Sequence, residues 1–209
     1  MPIALGSAVW AIGIFVYSIV SAMAGTVPLA VLALVTPVES MAIAVLIGLS
    51  STTNVIVGQA LGRADFRRAT IDAIALVLWT AMASLAMSLL LLALTPALLT
   101  LYAGAGPDVL DVAESVFTVL AAVLMFRALN VTMVVGVLRA GGDTTSPILM
   151  DLAAQWLVAI PLSYACVVVF ALPFPWVFLA FNSEETARQA MALFRLRQFK
   201  WLAQIRPDG

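Results

Sequence analysis

The sequence lacks histidine entirely, and Cys166 is its single cysteine. The absence of histidine excludes zinc sites of the His-Glu-x-x-His type, histidine-dependent catalytic triads and histidine-ligated haem. One cysteine forms neither an intrachain disulfide nor a cysteine metal cluster. No nucleophile–base pair and no phosphate-binding loop is present either. We therefore expect no enzyme, no cofactor and no metal centre.

Charged residues are also scarce. They make up 10% of the chain, whereas 64% of the residues are hydrophobic. Soluble domains have about 25% charged and about 45–50% apolar residues, so the composition is that of an integral membrane protein. No basic patch with interleaved aromatic residues occurs, which argues against a nucleic-acid partner.

Long apolar runs are what the sequence has in abundance. A helix needs about 20 mostly apolar residues to cross a bilayer. Such runs lie at roughly 3–24, 30–57, 70–101, 112–137 and 146–171. The segment 174–198 is ambiguous, because its apolar stretch is short and Glu184 and Glu185 follow directly. It fits either a sixth crossing or an amphipathic helix in the interface.

The positions of the basic residues decide between these alternatives. Nine of the ten lie in three groups: Arg63, Arg67 and Arg68; Arg139; and Arg188, Arg195, Arg197, Lys200 and Arg206. Basic residues near span ends collect on the cytoplasmic side, and only a sixth crossing places all three groups there. We predict an all-α lobe of six transmembrane helices in the plasma (inner) membrane, residues 1–198, with both termini and a tail, 199–209, in the cytoplasm. Glu184, Glu185 and Arg188 then face the bundle or a wet cavity.

Two charged residues inside predicted spans are candidates for a substrate or ion site. A charge within the hydrocarbon is costly, by about 2.5–3.5 kcal/mol on insertion scales, so Glu39 must be protonated, paired or facing water. Ser50 and Asn54 follow it at close to whole helical turns, which predicts one polar stripe and makes Asn54 a further cavity candidate. Arg127 shares a face with Asn130, which is also a cavity candidate, and has Glu39 as a candidate partner. Each group also has a purely structural interpretation, as internal packing.

Other polar and aromatic residues carry weaker signals. Asp151 and Gln155 are spaced four residues apart, and the position of Asp151 near a helix end favours simple solvation at the interface. Trp10 and Tyr17 are candidate cavity residues, although most aromatic residues in membrane spans serve packing or face lipid.

Two sequence motifs, taken together, resemble one transporter family. Residues 57–65 read VGQALGRAD, and residues 136–144 read GVLRAGGDT, with Asn130 before the second motif and Trp156 after it. This pairing resembles multidrug and toxic compound extrusion (MATE) transporters. The resemblance implies structural loop roles for Gly58, Gln59, Gly62, Arg139, Gly141, Gly142 and Asp143.

The resemblance also implies a function and a partner. Family members have two six-helix lobes and use protons or sodium to export cationic and amphipathic small molecules. This chain matches the second lobe, so an N-terminal six-helix lobe is the expected partner. Family sodium sites use acids whose places here fall near Trp10 and Ala128, where none occurs. In the proton-coupled branch the coupling acid lies in the first lobe.

Two alternatives remain open at this stage. The chain could be a truncated or split membrane fragment that does not transport without an N-lobe partner. It could instead belong to a lipid-linked sugar flippase of the same superfamily, for which more cavity cations than Arg127 are expected.

Overall fold

The structure, a computed structural model, describes residues 2–143 and 145–198 as a helical lobe without strands in those ranges. Its helices are α1 (Pro2–Met23), α2 (Thr26–Gly62), α3 (Phe66–Leu101), α4 (Pro107–Asn130, continued by a π-helix at Val131–Leu138), α5 (Thr145–Val169), α6 (Phe174–Phe181) and α7 (Ser183–Arg197). Because α6 and α7 meet at Asn182, they form one broken helix, and the lobe has six helical units. This agrees with the predicted all-α membrane fold.

The helices α2 to α5 are long and apolar enough to cross a membrane. Helix α1 has 22 residues, whereas α6 and α7, taken singly, are shorter than a standard span. The helix ends also depart from the predicted spans. The second span was expected at 30–57, whereas α2 runs from Thr26 to Gly62. The predicted tail, 199–209, lies outside the described residues.

Local sequence signals explain where several helices begin. The Asp65 carboxylate accepts a hydrogen bond at 3.0 Å from the backbone N–H of Arg68 and so caps the start of α3. Helix α4 begins at Pro107. The first N–H groups of a helix have no acceptor within the helix, so the missing N–H of proline costs no hydrogen bond there. The preceding Gly106 has φ +93°, a conformation that favours glycine.

Small residues allow α2 and α4 to approach closely. A Cβ atom at Gly136 would lie 2.9 Å from Cγ2 of Thr53, so only glycine fits there without a shift. Close backbone approach of this kind is how helices associate in lipid, where the hydrophobic effect between them is weak. Large apolar side chains such as Met41 and Leu157 remain about three-quarters exposed, as expected for a surface that faces acyl chains.

Three stretches of π-helix interrupt the regular winding of α4 and α5. They cover Val131–Leu138, Ala154–Ala159 and Ala165–Val169. In the first, side chains of α2 satisfy backbone carbonyls: Ser50 Oγ donates to Val131 O at 2.9 Å, and Asn54 Nδ2 donates to Val135 O at 3.1 Å. Irregular helix inside a membrane needs such partners, and π segments are frequent near functional sites.

Candidate functional site

A cavity of about 490 Å³ opens between α1, α2, α4, α6 and α7. Its chemically distinctive lining consists of Trp10, Tyr17, Glu39, Arg127, Glu184, Glu185 and Arg188. Four of these were predicted as cavity residues from the sequence, namely Trp10, Tyr17, Glu39 and Arg127. The predicted inward orientation of Glu184, Glu185 and Arg188 is confirmed. Aromatic and charged groups therefore share one wall inside the lobe.

Arg127 projects from α4 and holds three partners from three other parts of the fold. Its Nη1 donates to Oε1 of Glu39 on α2. Its Nε donates to Oε1 of Glu185 on α7 at 3.0 Å, and its Nη2 donates to Oδ1 of Asn182 at 2.9 Å. Each of the three guanidinium nitrogens donates a hydrogen bond, two of them to carboxylates, so this buried charge is compensated as its environment requires.

Arg188 forms a second centre on α7. Its Nε lies 2.8 Å from Oδ1 of Asp151 on α5, and its Nη1 donates to Oε2 of Glu185 at 3.2 Å. Its Nη2 lies 3.7 Å from Oε1 of Glu184, one helical turn earlier. Glu185 thus bridges the two arginines, and the pairs form a continuous network from Glu39 to Asp151.

Tyr17 connects α1 to this network. Its hydroxyl donates to Oε2 of Glu184 at 2.7 Å. Its ring lies 4.8 Å, centre to centre, from that of Phe181 at an angle of 44°. Trp10 lies two turns earlier on the same helix and is about half exposed. Between Trp10 and Tyr17, α1 contacts α5 closely at Gly13. A Cβ atom at Gly13 would lie 2.3 Å from Cδ of Gln155, so a larger residue would clash there.

Asn130 is fully buried behind the cavity wall rather than in its lining. Its Nδ2 donates to the backbone oxygen of Glu185 at 2.6 Å and to Oε2 of the same residue at 2.8 Å. It therefore fixes the first turn of α7 against α4. The shared face of Arg127 and Asn130 turns toward Glu185, a partner that the sequence did not indicate.

Asn54 lies away from the cavity. It follows Glu39 on the same stripe of α2, and that stripe faces α4 along its whole length. At the level of Asn54, however, the neighbour is the π-helical backbone of α4, where the amide bonds to Val135 O and, at 3.4 Å, to Gly136 O.

The two sequence motifs occupy the helix ends on one side of the lobe. Gly58, Gln59 and Gly62 lie in the last turns of α2, so the loop itself is shorter than the motif, and Arg139 follows the π segment of α4 with its side chain exposed. Gly141 and Gly142 form a turn, with Gly142 at φ +83°. Thr144, the last residue of the second motif, lies outside the described residues.

Asp143 ties this loop to the last helix. Its Oδ2 accepts a hydrogen bond at 2.8 Å from Nε of Arg195, and its Oδ1 accepts one at 3.1 Å from the backbone N–H of Ser146. Burial alone raises the pKa of the Asp143 carboxyl, but these hydrogen bonds outweigh it and the pKa is lowered overall. The loop role implied by the resemblance thus has a physical basis in a buried ion pair.

Sequence reasoning missed several of these contacts. It favoured interfacial solvation for Asp151, yet the structure pairs this carboxylate with Arg188 while leaving its side chain 32% exposed. It offered no partner for Tyr17 and none for Arg127 beyond Glu39. The one available signal was the spacing of Glu184, Glu185 and Arg188, which puts three charges on one helical face.

Comparison with known proteins places this geometry in a family. The family model described as MatE matches residues 2–165, most of the chain. The chain belongs to the MATE family. It has no match among curated proteins.

Solved MATE-type structures share the fold of the chain. A transporter of the MOP superfamily from Pyrococcus furiosus, whose binding pocket is described as having reverse polarity, superposes with a TM-score of 0.84 at 19% identity, covering 93% of this chain and 42% of that one. A MATE mutant superposes with a TM-score of 0.84 at 15% identity, covering 97% of this chain and 45% of that one. An outward-facing multidrug resistance MATE transporter superposes with a TM-score of 0.76 at 22% identity, covering 95% of this chain and 43% of that one. The chain thus spans less than half the length of these structures.

Proposed function

We propose that the chain acts as the C-terminal lobe of a cation-coupled antiporter that exports cationic or amphipathic small molecules. The observation that carries the proposal is the cavity whose wall contains both an intramembrane ion-pair network and aromatic side chains. Charged residues inside a membrane are expensive and mark transport pathways. Aromatic rings such as Trp10 and Tyr17 attract cations and provide apolar contact area for a ligand.

The mechanism that fits this lobe is alternating access. The lobe would rock against an N-terminal six-helix lobe, so that the cavity between them faces one side of the membrane and then the other. The lobes would lie in the plasma membrane with both termini in the cytoplasm, as the distribution of arginine and lysine indicates.

The charge of the cavity favours this function over a lipid-linked sugar flippase. Arg188 adds a second cation beside Arg127, but both guanidinium groups are neutralised by carboxylates. A carrier of anionic pyrophosphate-linked lipids needs basic groups that remain free to bind phosphate. The described cavity wall instead has an excess of acidic groups, which suits a cationic substrate.

The decisive experiment uses a transporter assembled from this chain and a six-helix N-terminal lobe. Glu39→Gln is expected to abolish efflux of the cationic dye ethidium, with no loss of membrane abundance. Glu114→Gln, which alters an exposed carboxylate on α4, serves as the matched control and is expected to retain efflux. Unchanged efflux in Glu39→Gln would leave Glu39 with a structural role only.

The chain expressed alone separates the transporter from a fragment without activity. We expect no ethidium efflux from it, and restoration on co-expression with an N-terminal lobe. If no such lobe restores efflux, the interpretation as a non-transporting fragment is favoured.

A further inference from the structure

The ion-pair network in the cavity wall contains more acidic than basic groups. Two guanidinium groups are linked to four carboxylates: Arg127 and Arg188 to Glu39, Asp151, Glu184 and Glu185. With every group ionised, the network has two excess negative charges. An uncompensated charge is costly inside a membrane, so the network favours the binding of a further cation.

Glu184 is the carboxylate whose charge is compensated least. Glu185 has contacts of 3.0 and 3.2 Å to the two arginines, Glu39 contacts Arg127 directly, and Asp151 lies 2.8 Å from Arg188. Within the described residues Glu184 has a single ion pair, which at 3.7 Å is the longest of the network, yet its side chain is only 9% exposed. Glu184 therefore combines deep burial with the weakest pairing.

Asn130 adds to the compensation of Glu185 and not to that of Glu184. The residue is fully buried, and its Nδ2 donates to Oε2 of Glu185 at 2.8 Å. Glu185 therefore accepts from both arginines and from an amide, whereas Glu184 lacks an equivalent set of partners among the described residues.

A proton fits the site better than a metal cation does. Hard cations are bound by several oxygen ligands at once. Here Oε2 of Glu184 already accepts the Tyr17 hydroxyl, and Oε1 faces the Arg188 guanidinium. A metal ion at this position would be repelled by Arg188, whereas a proton on the carboxylate needs no further ligand.

The groups around Glu184 come from every neighbouring helix. They are Tyr17 on α1, Arg127 on α4, Asp151 on α5 through its pair with Arg188, Glu185 and Arg188 on α7, and Glu39 on α2 through its bond to Arg127. After Glu184 is neutralised, Arg188 still has Asp151 and Glu185 as counter-ions. Proton uptake by Glu184 thus leaves both arginines paired.

We propose that Glu184 takes up and releases a coupling proton within this lobe, separate from a coupling acid in an N-terminal lobe, with the Tyr17 hydroxyl as its positioning donor. The role of that proton in transport rests on the proposed function. On uptake, an O–H bond forms at Oε1 and the carboxylate loses its negative charge, the proton coming from water in the cavity that Glu184 lines. On release, the same bond breaks and the proton returns to water.

Infrared difference spectroscopy of the full chain in liposomes tests the proposal without a transport assay. Lowering the pH is expected to produce the C=O stretching band of a protonated carboxylic acid. We expect the band to be lost in Glu184→Gln and retained in the control Glu114→Gln, which alters an exposed carboxylate outside the network. A band that persists in Glu184→Gln, or that disappears in Glu114→Gln alone, would overturn the assignment.

Tyr17→Phe provides a second test, because it keeps the ring against Phe181 and removes only the hydroxyl. A hydrogen bond weakens the C=O bond, so its loss is expected to shift the band to higher frequency. An unshifted band would show that the Tyr17 hydroxyl does not bond to the protonated group. This variant also serves if Glu184→Gln fails to fold.

One further measurement distinguishes a proton from a sodium ion, and a second distinguishes failure of the proton site from failure of the proposed function. Replacing potassium by sodium in the buffer is expected to leave the band unchanged, and a sodium-dependent loss would overturn the choice of proton. If the band behaves as expected but the assembled transporter exports no ethidium, the proposed function fails while the proton site stands. If ethidium is exported and Glu184→Gln retains the band, the proton site fails alone.

Discussion

Nε of Arg127 lies 3.0 Å from Oε1 of Glu185, a residue 58 positions further along the chain. The same guanidinium bonds to Asn182, the residue between α6 and α7. The broken helix is therefore anchored to α4 at its break, where free backbone groups need support within a membrane. A single arginine thereby fixes both the wall of the cavity and the start of the last helix.

Removal of the Arg127 charge should destabilise the lobe strongly. Arg127→Met leaves Glu39 and Glu185 without one counter-ion, which costs about 3–5 kcal/mol for a broken buried pair. Thermal unfolding in detergent can be followed by a thiol-reactive dye, since Cys166 is the only cysteine and is buried. The control Arg67→Met, at an exposed position, should leave the unfolding temperature unchanged.

A double variant checks that charge is the cause. Arg127→Met combined with Glu39→Met removes one ion pair completely and leaves Glu185 with Arg188 as its counter-ion, so it should recover part of the lost stability. No recovery would indicate that Arg127 acts through packing.

The close approach of α2 and α4 predicts opposite effects for two glycine substitutions. Gly136→Ala places a Cβ atom 2.9 Å from Thr53 and should destabilise the lobe by about 1–3 kcal/mol through overpacking. Gly48→Ala, on α2 with open space around it, should stabilise by about 0.5–1 kcal/mol because alanine favours the helix. Equal effects in the unfolding assay would contradict the tight contact.

The Asp143 ion pair predicts a pH-dependent stability. Its carboxyl has a lowered pKa in the folded state, so its contribution is complete above the unfolded-state pKa of about 3.9 and is lost as the pH falls through the folded-state pKa. Asp143→Asn should therefore cost about 1.5–3 kcal/mol at neutral pH, the usual contribution of a hydrogen bond to a charged group. The difference from the wild type should shrink below about pH 3.9.

Asp111→Asn is the matched control for this measurement. Asp111 lies on the exposed side of α4, and its replacement should leave the stability unaltered at both pH values. A difference for Asp143→Asn that does not depend on pH would rule out the ionised carboxylate as its origin.

The sixth crossing predicts the location of the C-terminus. A reporter fused after Gly209 should be cytoplasmic, and one inserted after Gly104, between α3 and α4, should be on the opposite side. A periplasmic signal from the first fusion would mean that α6 and α7 do not cross together.

The sequence predicted the helices better than it predicted their contacts. Apolar runs and basic loops define six helical units, because hydrophobic length and charge position are local properties. The three π segments were not predicted. In the first, Val131–Leu138, two carbonyls are satisfied by Ser50 and Asn54 from another helix. Periodicity places those two residues on one face of α2, but it does not reveal which part of α4 lies opposite.

In the candidate site, too, the residues were easier to predict than their contacts. Glu39 and Arg127 were recognisable as partners because both are charges inside apolar runs. Glu185 was expected to face the bundle or a wet cavity, and Asp151 to be solvated at the interface. Their pairing with the arginines was not predicted, because it depends on how α5 and α7 pack against α4. That packing is a tertiary property with no local sequence signal.

The five partners of Arg127 and Arg188 within residues 2–143 and 145–198 come from four different parts of a single lobe. A rotation of the lobe as a rigid body would leave all of these bonds unbroken. The energy barrier to such a rotation would then arise at the surface of the lobe, from lipid and from an opposing protein face. Evolution could therefore alter the speed of the motion by surface substitutions without disturbing the charges inside.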